Sequence, residues 1–223
     1  MNCAIKYKPM SLAHIIYPDD ATKAFIKAVA TGALTTHIIF YGPNGTGKTT
    51  VADLLPFAIS GDAAMVESKD YSELLDQKDL KTYLKTQCQL ARLTGNNGRY
   101  YLVLHEFDNA NKNLAKLWMA LDACADYLTL FITTNNPMLI HKSIRSRCRE
   151  IEFPAVSVSA ILPRARKILA SENARLSEDE LAKHLSVVKN GDLRSYFRKL
   201  DDLIYLYGAK APPKPPTFQL SLK

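Results

Sequence analysis

The sequence predicts an α/β protein, a parallel sheet flanked by helices, with a small helical unit after it. Three observations carry that prediction. Apolar, aromatic-rich runs at 37–41, 100–104 and 127–134 alternate with helix-patterned stretches, as in a sheet whose strands are joined by crossover helices. The stretch from Ser157 to Tyr207 has only helical patterning. Between the first apolar run and its following helix, Gly42-Pro43-Asn44-Gly45-Thr46-Gly47-Lys48-Thr49 fits G-x-x-x-x-G-K-[ST] in full.

In chain order, Lys6-Tyr7-Lys8-Pro9 comes first, and Pro9 biases Lys8 toward an extended backbone. Ile15-Ile16-Tyr17-Pro18 is an apolar elbow, read either as a wall for a nucleotide base, through Ile16 and Tyr17, or as simple packing. Asp19 or Asp20 caps a helix from Ala21 to about Ala30, with Phe25, Ile26 and Val29 at core spacing. His37–Tyr41 is the first strand, and the helix after the glycine loop begins around Val51. A second strand is expected at 63–67. One polar helix is expected from Asp70 to about Leu93, with leucines at 74, 75, 80, 84, 90 and 93 and the cations Lys78, Lys81, Lys85 and Arg92. Those cations fit either a phosphate-backbone contact with DNA or a solvated helix face. The run at 100–104 is a central strand ending in His105-Glu106-Phe107-Asp108. A helix with Leu114, Leu117, Met119, Ala120 and Leu121 follows, then the strand at 127–134 tipped by Asn135-Asn136-Pro137. Ser143 to Arg149 leads into a short strand at 150–153, stopped by Pro154. Three helices follow, at 157–170, 177–188 and 192–207; Ser177 and Glu180 form a capping box at the start of the second. Ala211-Pro212-Pro213-Lys214-Pro215-Pro216 is a stiff spacer. The expected organisation is an α/β domain over 1–154, a helical lid over 155–208 and a proline-rich tail over 209–223.

The glycine loop carries the chemistry. Its glycines let the backbone turn tightly with N–H groups aimed inward, and the helix N-terminus adds partial positive charge. Residues Gly42 to Thr50 (Gly42, Pro43, Asn44, Gly45, Thr46, Gly47, Lys48, Thr49 and Thr50) are therefore the expected polyphosphate cradle. Lys48 would reach the β- and γ-phosphates of ATP, and Thr49 would hold Mg²⁺. Ligands in such sheets bind at the carboxyl ends of the strands, where His105, Glu106 and Asn135 also lie.

Charge and composition bound the rest. A net charge of +7 and a pI near 9.1 favour polyanionic partners, nucleic acid first. Cys3, Cys88, Cys124 and Cys148 are scattered without a C-x-x-C pair, which argues against a zinc site or a disulfide framework. No apolar run reaches the ~20 residues of a membrane span, and no secretion signal is visible, so a cytoplasmic protein without membrane contact is expected.

Taken together, the motifs resemble those of AAA+ ATPases of the sliding-clamp loader group, closest to the small ATPase subunits of T-even phage loaders and replication factor C. Lys6-Tyr7-Lys8-Pro9 is similar to the family's K-Y-R-P box, with Lys8 in place of arginine. His105-Glu106-Phe107-Asp108 stands where the family has D-E-x-D. Asn135 falls at sensor 1, Ser146-Arg147-Cys148 matches the S-R-C motif, and Gly191-Asp192-Leu193-Arg194 looks like sensor 2. The resemblance implies that Glu106 accepts the proton of the attacking water and Asn135 helps orient that water. It also implies that Arg194 holds the γ-phosphate from the lid and that Arg147 enters the ATP site of a neighbouring subunit in a homo- or hetero-oligomer. DNA, as primed template or duplex, and a sliding clamp or other replication proteins are the implied partners.

Two departures matter. His105 replaces the aspartate that orders Mg²⁺ through its water shell, and an imidazole is a poor substitute for a hard oxygen near that ion. Slow hydrolysis, or an ATP-binding scaffold subunit, follows as an alternative reading; His105 or Glu106 would meet the metal only through water. Family members also carry a helical collar domain, whereas this sequence ends about 16 residues after Tyr207. Either oligomerisation relies on the ATPase modules and DNA, or other subunits supply the collar, and the difference also favours a second alternative, a helicase loader or transposition regulator from a phage or mobile element. The end of the sequence, Gln219-Leu220-Ser221-Leu222, resembles the Q-L-x-L-F peptide of clamp-binding proteins, with Lys223 where the aromatic would stand. Gln219, Leu220 and Leu222 are thus candidate clamp contacts on a proline tether.

Overall fold

The computed structural model describes residues 2–75, 79–94, 97–107 and 114–208. Five strands, β1 (His37–Tyr41), β2 (Met65–Asp70), β3 (Tyr100–His105), β4 (Leu128–Thr134) and β5 (Cys148–Glu152), form one sheet in the order β2-β3-β4-β1-β5. Every pairing is parallel, with Ile38 opposite Phe131, Val103 opposite Phe131 and Ile39 opposite Glu150. Parallel strands need covered faces, and alternation sorts their side chains between two cores. Ile39, Leu102, Leu104, Leu130 and Ile132 point to one side. Ile38, Phe40, Tyr101, Val103 and Phe131 point to the other.

The helices are α1 (Cys3–Lys6), α2 (Asp20–Ala30), α3 (Lys48–Ser60), α4 (Tyr71–Leu75), α5 (Leu80–Thr94), α6 (Leu114–Ala123), α7 (Lys142–Arg145), α8 (Val158–Ser171), α9 (Glu178–Leu185) and α10 (Leu193–Tyr207). Asp19 is the cap of α2, its carboxylate accepting from Thr22 N–H at 2.6 Å. The first core contains α4, α5 and α6; the second contains α2 and α3. A third core joins α8, α9 and α10 through Ile161, Leu169, Leu181, Tyr196 and Leu203. The capping box at Ser177 and Glu180 is present in full.

Three expectations are corrected. The second strand starts two residues late and runs on to Asp70, because Gly61 ends α3 with φ +66° and a 3₁₀ turn takes Gly61–Ala63. Ser68, Lys69 and Asp70 join the strand as an edge ladder paired to β3, so pairing overrides their low strand propensity. The single helix expected from Asp70 is instead α4 and α5, the latter started by Asp79, which accepts from Thr82 N–H at 3.1 Å. Of the apolar residues placed on helices by the sequence, Leu90, Leu93 and Met119 are exposed. The start of the chain, assigned to the α/β part, keeps Leu12, Ile15 and Tyr17 on the second core but packs through Cys3 and Tyr7 into the helical core. Cys3 is fully buried there and its N–H donates to Asp201 at 2.9 Å. Among the described residues no helix is long and apolar enough to cross a membrane.

The helical layer sits directly on the glycine loop. Leu193 N–H donates to Gly45 O at 2.9 Å, and a Cβ on Gly45, whose φ is +72°, would lie 1.9 Å from Asp192 Oδ1. Gly45→Ala therefore combines a left-handed backbone penalty with a clash. A loss of about 2 kcal/mol or more, read as a Tm drop of about 4–8 °C by calorimetry, is expected.

His37 sets an acid limit on stability. Burial, with the nearby Arg99 and Arg147 charges, pushes its pKa down to about 4, while Nδ1 accepts from Leu130 N–H at 3.1 Å. The unfolded chain takes up this proton near pH 6.5 and the folded chain only near 4. Stability is therefore lost as pH falls through that window, by up to about 3 kcal/mol. Chemical denaturation at a series of pH values should show that loss, and His37→Asn, which keeps an acceptor for Leu130, should remove most of it.

Candidate nucleotide site

The carboxyl ends of β1, β3 and β4 open onto a cavity of 310 Å³, closed from the opposite side by α8 and α10. One wall is the loop from Asn44 into the first turn of α3, including Thr49 and Thr50. Glu106, Thr133, Thr134 and Asn135 line the floor, and Arg164, Leu193, Arg194 and Phe197 face it from the helical layer. Pro9, Ile15 and Ile16 make an apolar end. A polar cradle at one end and an apolar slot at the other suit a nucleotide with its phosphates on the loop.

The loop shows how its backbone is held ready. Gly42 passes so close under the end of β5 that a Cβ would meet Phe153 O at 2.2 Å. Lys48 is buried, and Nζ donates to Gly42 O at 2.7 Å, Pro43 O at 2.6 Å and Asn135 Oδ1 at 3.2 Å. Thr46 Oγ1 donates to Pro43 O at 3.1 Å. These bonds occupy the carbonyl side of the loop. Gly42 and Pro43 accordingly belong to the support of the cradle and not to the cavity lining, which begins at Asn44.

Glu106 follows β3 directly, is exposed, and has φ +50°, a left-handed conformation that a glutamate rarely adopts. His105, one residue earlier, does not line the cavity. Its ring reaches α3 and β2: Nε2 lies 3.1 Å from Asp53 Oδ1 and 2.8 Å from Ser68 Oγ, and Nδ1 lies 3.4 Å from Thr133 Oγ1. Among the described residues no group of three or more His, Cys, Asp or Glu side chains forms a metal cage. Thr49 and Glu106, which both line the cavity, nevertheless offer oxygen donors that fit Mg²⁺, which commonly takes one or two protein oxygens together with phosphate and water.

The other predicted residues fall as follows. Ile16 lines the cavity, but Tyr17 does not: it turns into the second core and its hydroxyl donates to Leu12 O at 3.0 Å. Arg194 lines the cavity from the first turn of α10. Arg147 lies outside it, with Nε donating to Asp122 Oδ1 at 2.7 Å, Nη2 to Asp122 Oδ2 at 2.8 Å, and Nη1 to Ser143 O. That guanidinium holds the Asp122 carboxyl below its ordinary value. Lys81 and Lys85 are exposed one turn apart on α5, and Arg92 stacks on Tyr127 at 4.5 Å. Lys78, Asp108, Gln219, Leu220 and Leu222 lie outside the described residues.

Sequence reasoning missed Arg164, Asp53 and Asp122. Arg164 clamps the N-terminal segment, donating to Tyr7 O at 2.6 Å and His14 O at 2.9 Å, while its buried Nε has no partner among the described residues. Burial lowers its pKa. No local motif marks it. Asp53 did carry a signal, since it stands four residues after Thr49 on the same helix.

Comparison with known proteins agrees with this geometry. The chain is 25% identical over 214 residues to replication factor C subunit 2 of Oryza sativa subsp. japonica, covering 92% of this chain and 62% of that protein. It is 28% identical over 207 residues to the sliding-clamp-loader large subunit of Escherichia phage RB69, covering 88% and 62%. The chain thus spans less than two thirds of each relative. Among solved structures, a Thermotoga maritima RuvB mutant aligns with TM-score 0.66 at 18% identity, covering 92% of this chain and 69% of that one, a likeness of fold. Residues 38–155, from β1 to just past β5, match the model of the ATPase family associated with various cellular activities. With the glycine loop, sheet order and helical cover all in place, the chain belongs to the AAA family of ATPases.

Proposed function

We propose that the chain is an ATPase module of clamp-loader type, in which bound ATP sets the seating of a helical lid, residues 155–208, on an α/β domain, and so drives assembly on DNA and a sliding clamp. The observation that carries this reading is the single cavity shared by the glycine loop, Glu106, Asn135 and Arg194, at the junction of sheet and helical layer. The similarity to replication factor C and phage clamp-loader subunits supplies the partner class.

In this reading the N–H groups of the loop bind the phosphates, and Lys48 exchanges its loop carbonyls for phosphate oxygens. Thr49 is the protein's ligand for Mg²⁺, which neutralises charge on the β- and γ-phosphates. Asn135 and Glu106 position a water. As its oxygen bonds to the γ-phosphorus and the bond to the β,γ-bridging oxygen breaks, Glu106 accepts the proton. Arg194, at the start of α10, senses the γ-phosphate and transmits its presence to the lid. Arg147 acts on a neighbouring subunit, which requires an oligomer. Lys81, Lys85 and Arg92 form the proposed phosphate-backbone contact, and the terminal Gln219, Leu220 and Leu222 the proposed clamp contact.

A second reading has one observation in its favour. His105 is engaged with Asp53, Ser68 and Thr133 and stands off the cavity, which suits a subunit that binds ATP and seldom turns it over.

Steady-state hydrolysis, alone and with primed DNA and a sliding clamp, tests both. Stimulation only by the complete mixture is the expected result. Binding of ATP without turnover in any mixture selects the scaffold reading. Lys48→Ala should weaken ATP binding about ten- to hundredfold, the worth of lost charge-assisted bonds, as measured by calorimetry. Arg147→Ala should leave ATP affinity within about threefold and cut stimulated turnover about 10³-fold or more, the scale of a missing arginine finger. Equal loss of turnover when the protein is dilute and when it is assembled would remove Arg147 from a neighbour's site.

A further inference from the structure

The side-chain cluster behind the cavity, Asp53, Ser68, His105 and Thr133, carries an inference that rests on the proposed nucleotide reading. We propose that Asp53 supplies the carboxylate that the tip of β3 lacks, and that His105 positions it. The divalent cation accompanying ATP would then be ordered from α3 and not from the strand end.

The hydrogen bonds define the roles. Ser68 Oγ donates to Asp53 Oδ1 at 3.0 Å. With that proton committed, His105 Nε2–H is the donor toward Asp53 Oδ1 at 3.1 Å, with Ser68 Oγ at 2.8 Å as a second acceptor. Nδ1 then carries the lone pair and faces the Thr133 hydroxyl at 3.4 Å. The imidazole has an N–H toward the carboxylate and a hydroxyl against its other nitrogen, so it has no lone pair open to a cation. It is a positioning residue, of the kind that fixes a carboxylate next to a metal from outside the coordination shell.

Asp53 has the complementary properties. Oδ1 is held by two donors, whereas Oδ2 accepts from no described residue. The side chain is 41% exposed, so Oδ2 is open to water. Asp53 follows Thr49 by four residues in α3, which sets both on one face of the helix, one turn apart. A Mg²⁺ ion needs oxygen donors or ordered water on the side away from the phosphates. Asp53, like His105, stands outside the cavity lining, so a carboxylate one turn beyond Thr49 would act on the ion through ordered water, at the side where β3 ends in histidine. The rival is a purely structural ion pair tying α3 to β2 and β3.

The test separates metal ordering from structure. ATP binding to the full chain is measured by calorimetry in EDTA and in Mg²⁺, and Mn²⁺ binding to the protein–ATP complex by electron paramagnetic resonance. Asp53→Asn, His105→Asp and the double variant are compared with the parent, each with its Tm. For Asp53→Asn, Mn²⁺ affinity should fall about tenfold or more, the scale of a lost outer-shell carboxylate, with affinity in EDTA within about twofold and Tm held. Adding His105→Asp to Asp53→Asn should restore most of the metal affinity, by returning a carboxylate to the strand end. Unchanged Mn²⁺ affinity in Asp53→Asn, or equal losses in EDTA and Mg²⁺, would overturn the inference and leave the structural pair. If the double variant keeps its Tm yet stays weak for Mn²⁺, the carboxylate exchange is refuted. A parent protein that binds no ATP in either buffer overturns the nucleotide reading itself, a failure distinct from the others.

Discussion

The glycine loop has to keep its N–H groups for a ligand, and the rest of the structure is arranged around that constraint. A backbone that turns its donors toward a cavity turns its carbonyls toward the protein, and buried carbonyls need partners. Three sources supply them. Lys48 reaches back to Gly42 and Pro43, Thr46 closes on Pro43, and Leu193 N–H reaches Gly45 from the helical layer. The last of these makes the seating of α10 part of loop geometry. Whatever moves the loop moves the start of α10, where Arg194 is located, and the reverse holds equally. Gly45 has no room for a side chain because that seating is close.

Much of this was legible in the sequence because the signals are local. A run such as Tyr100-Tyr101-Leu102-Val103-Leu104 can satisfy a strand buried on both faces and little else, and the glycine loop is a contiguous motif. The capping box at Ser177 is equally short-ranged. What was not legible depends on partners far away in sequence. The ladder with β3 carries Ser68, Lys69 and Asp70 into a strand, and a docking face on α10 draws Cys3 out of the α/β part. Leu90 and Leu93 fall off the buried stripe of Leu80, Leu84, Cys88 and Ala91, so α5 turns them to solvent. Tyr17 sits next to a true lining residue, and only the backbone path distinguishes Ile16 from it.

Arg147 lies at the surface, outside the cavity, as the proposed role between subunits requires. Its pair with Asp122 is bidentate and well aligned, but Asp122 is largely exposed, so solvent screens the attraction and exchange for another anion costs little. A guanidinium held in this way is already extended and planar toward a carboxylate, and a phosphate presents oxygens in similar geometry. The pair therefore orients the arginine in the free chain without locking it. Ser143 O, accepting from Nη1, fixes the same fork from the side of α7.

The exchange of residues between β3 and α3 bears on rate more than on binding. In that proposal polyphosphate affinity would come chiefly from loop N–H groups and Lys48, whereas His105 bonds to Asp53, Ser68 and Thr133. In the proposed mechanism, hydrolysis would depend on small displacements of water and cation relative to Glu106, since misplacement by about 1 Å can cost on the order of 10²-fold. A carboxylate anchored on α3 shares its helix with Thr49, whereas one on the strand end would share a rigid sheet with Glu106. The proposed arrangement would tie the cation side of the site to the loop, and leave Glu106, held at φ +50°, to be aligned separately. Binding and alignment would then be mechanically distinct, which would suit a module proposed to hold ATP alone and cleave it only when a neighbour completes the site.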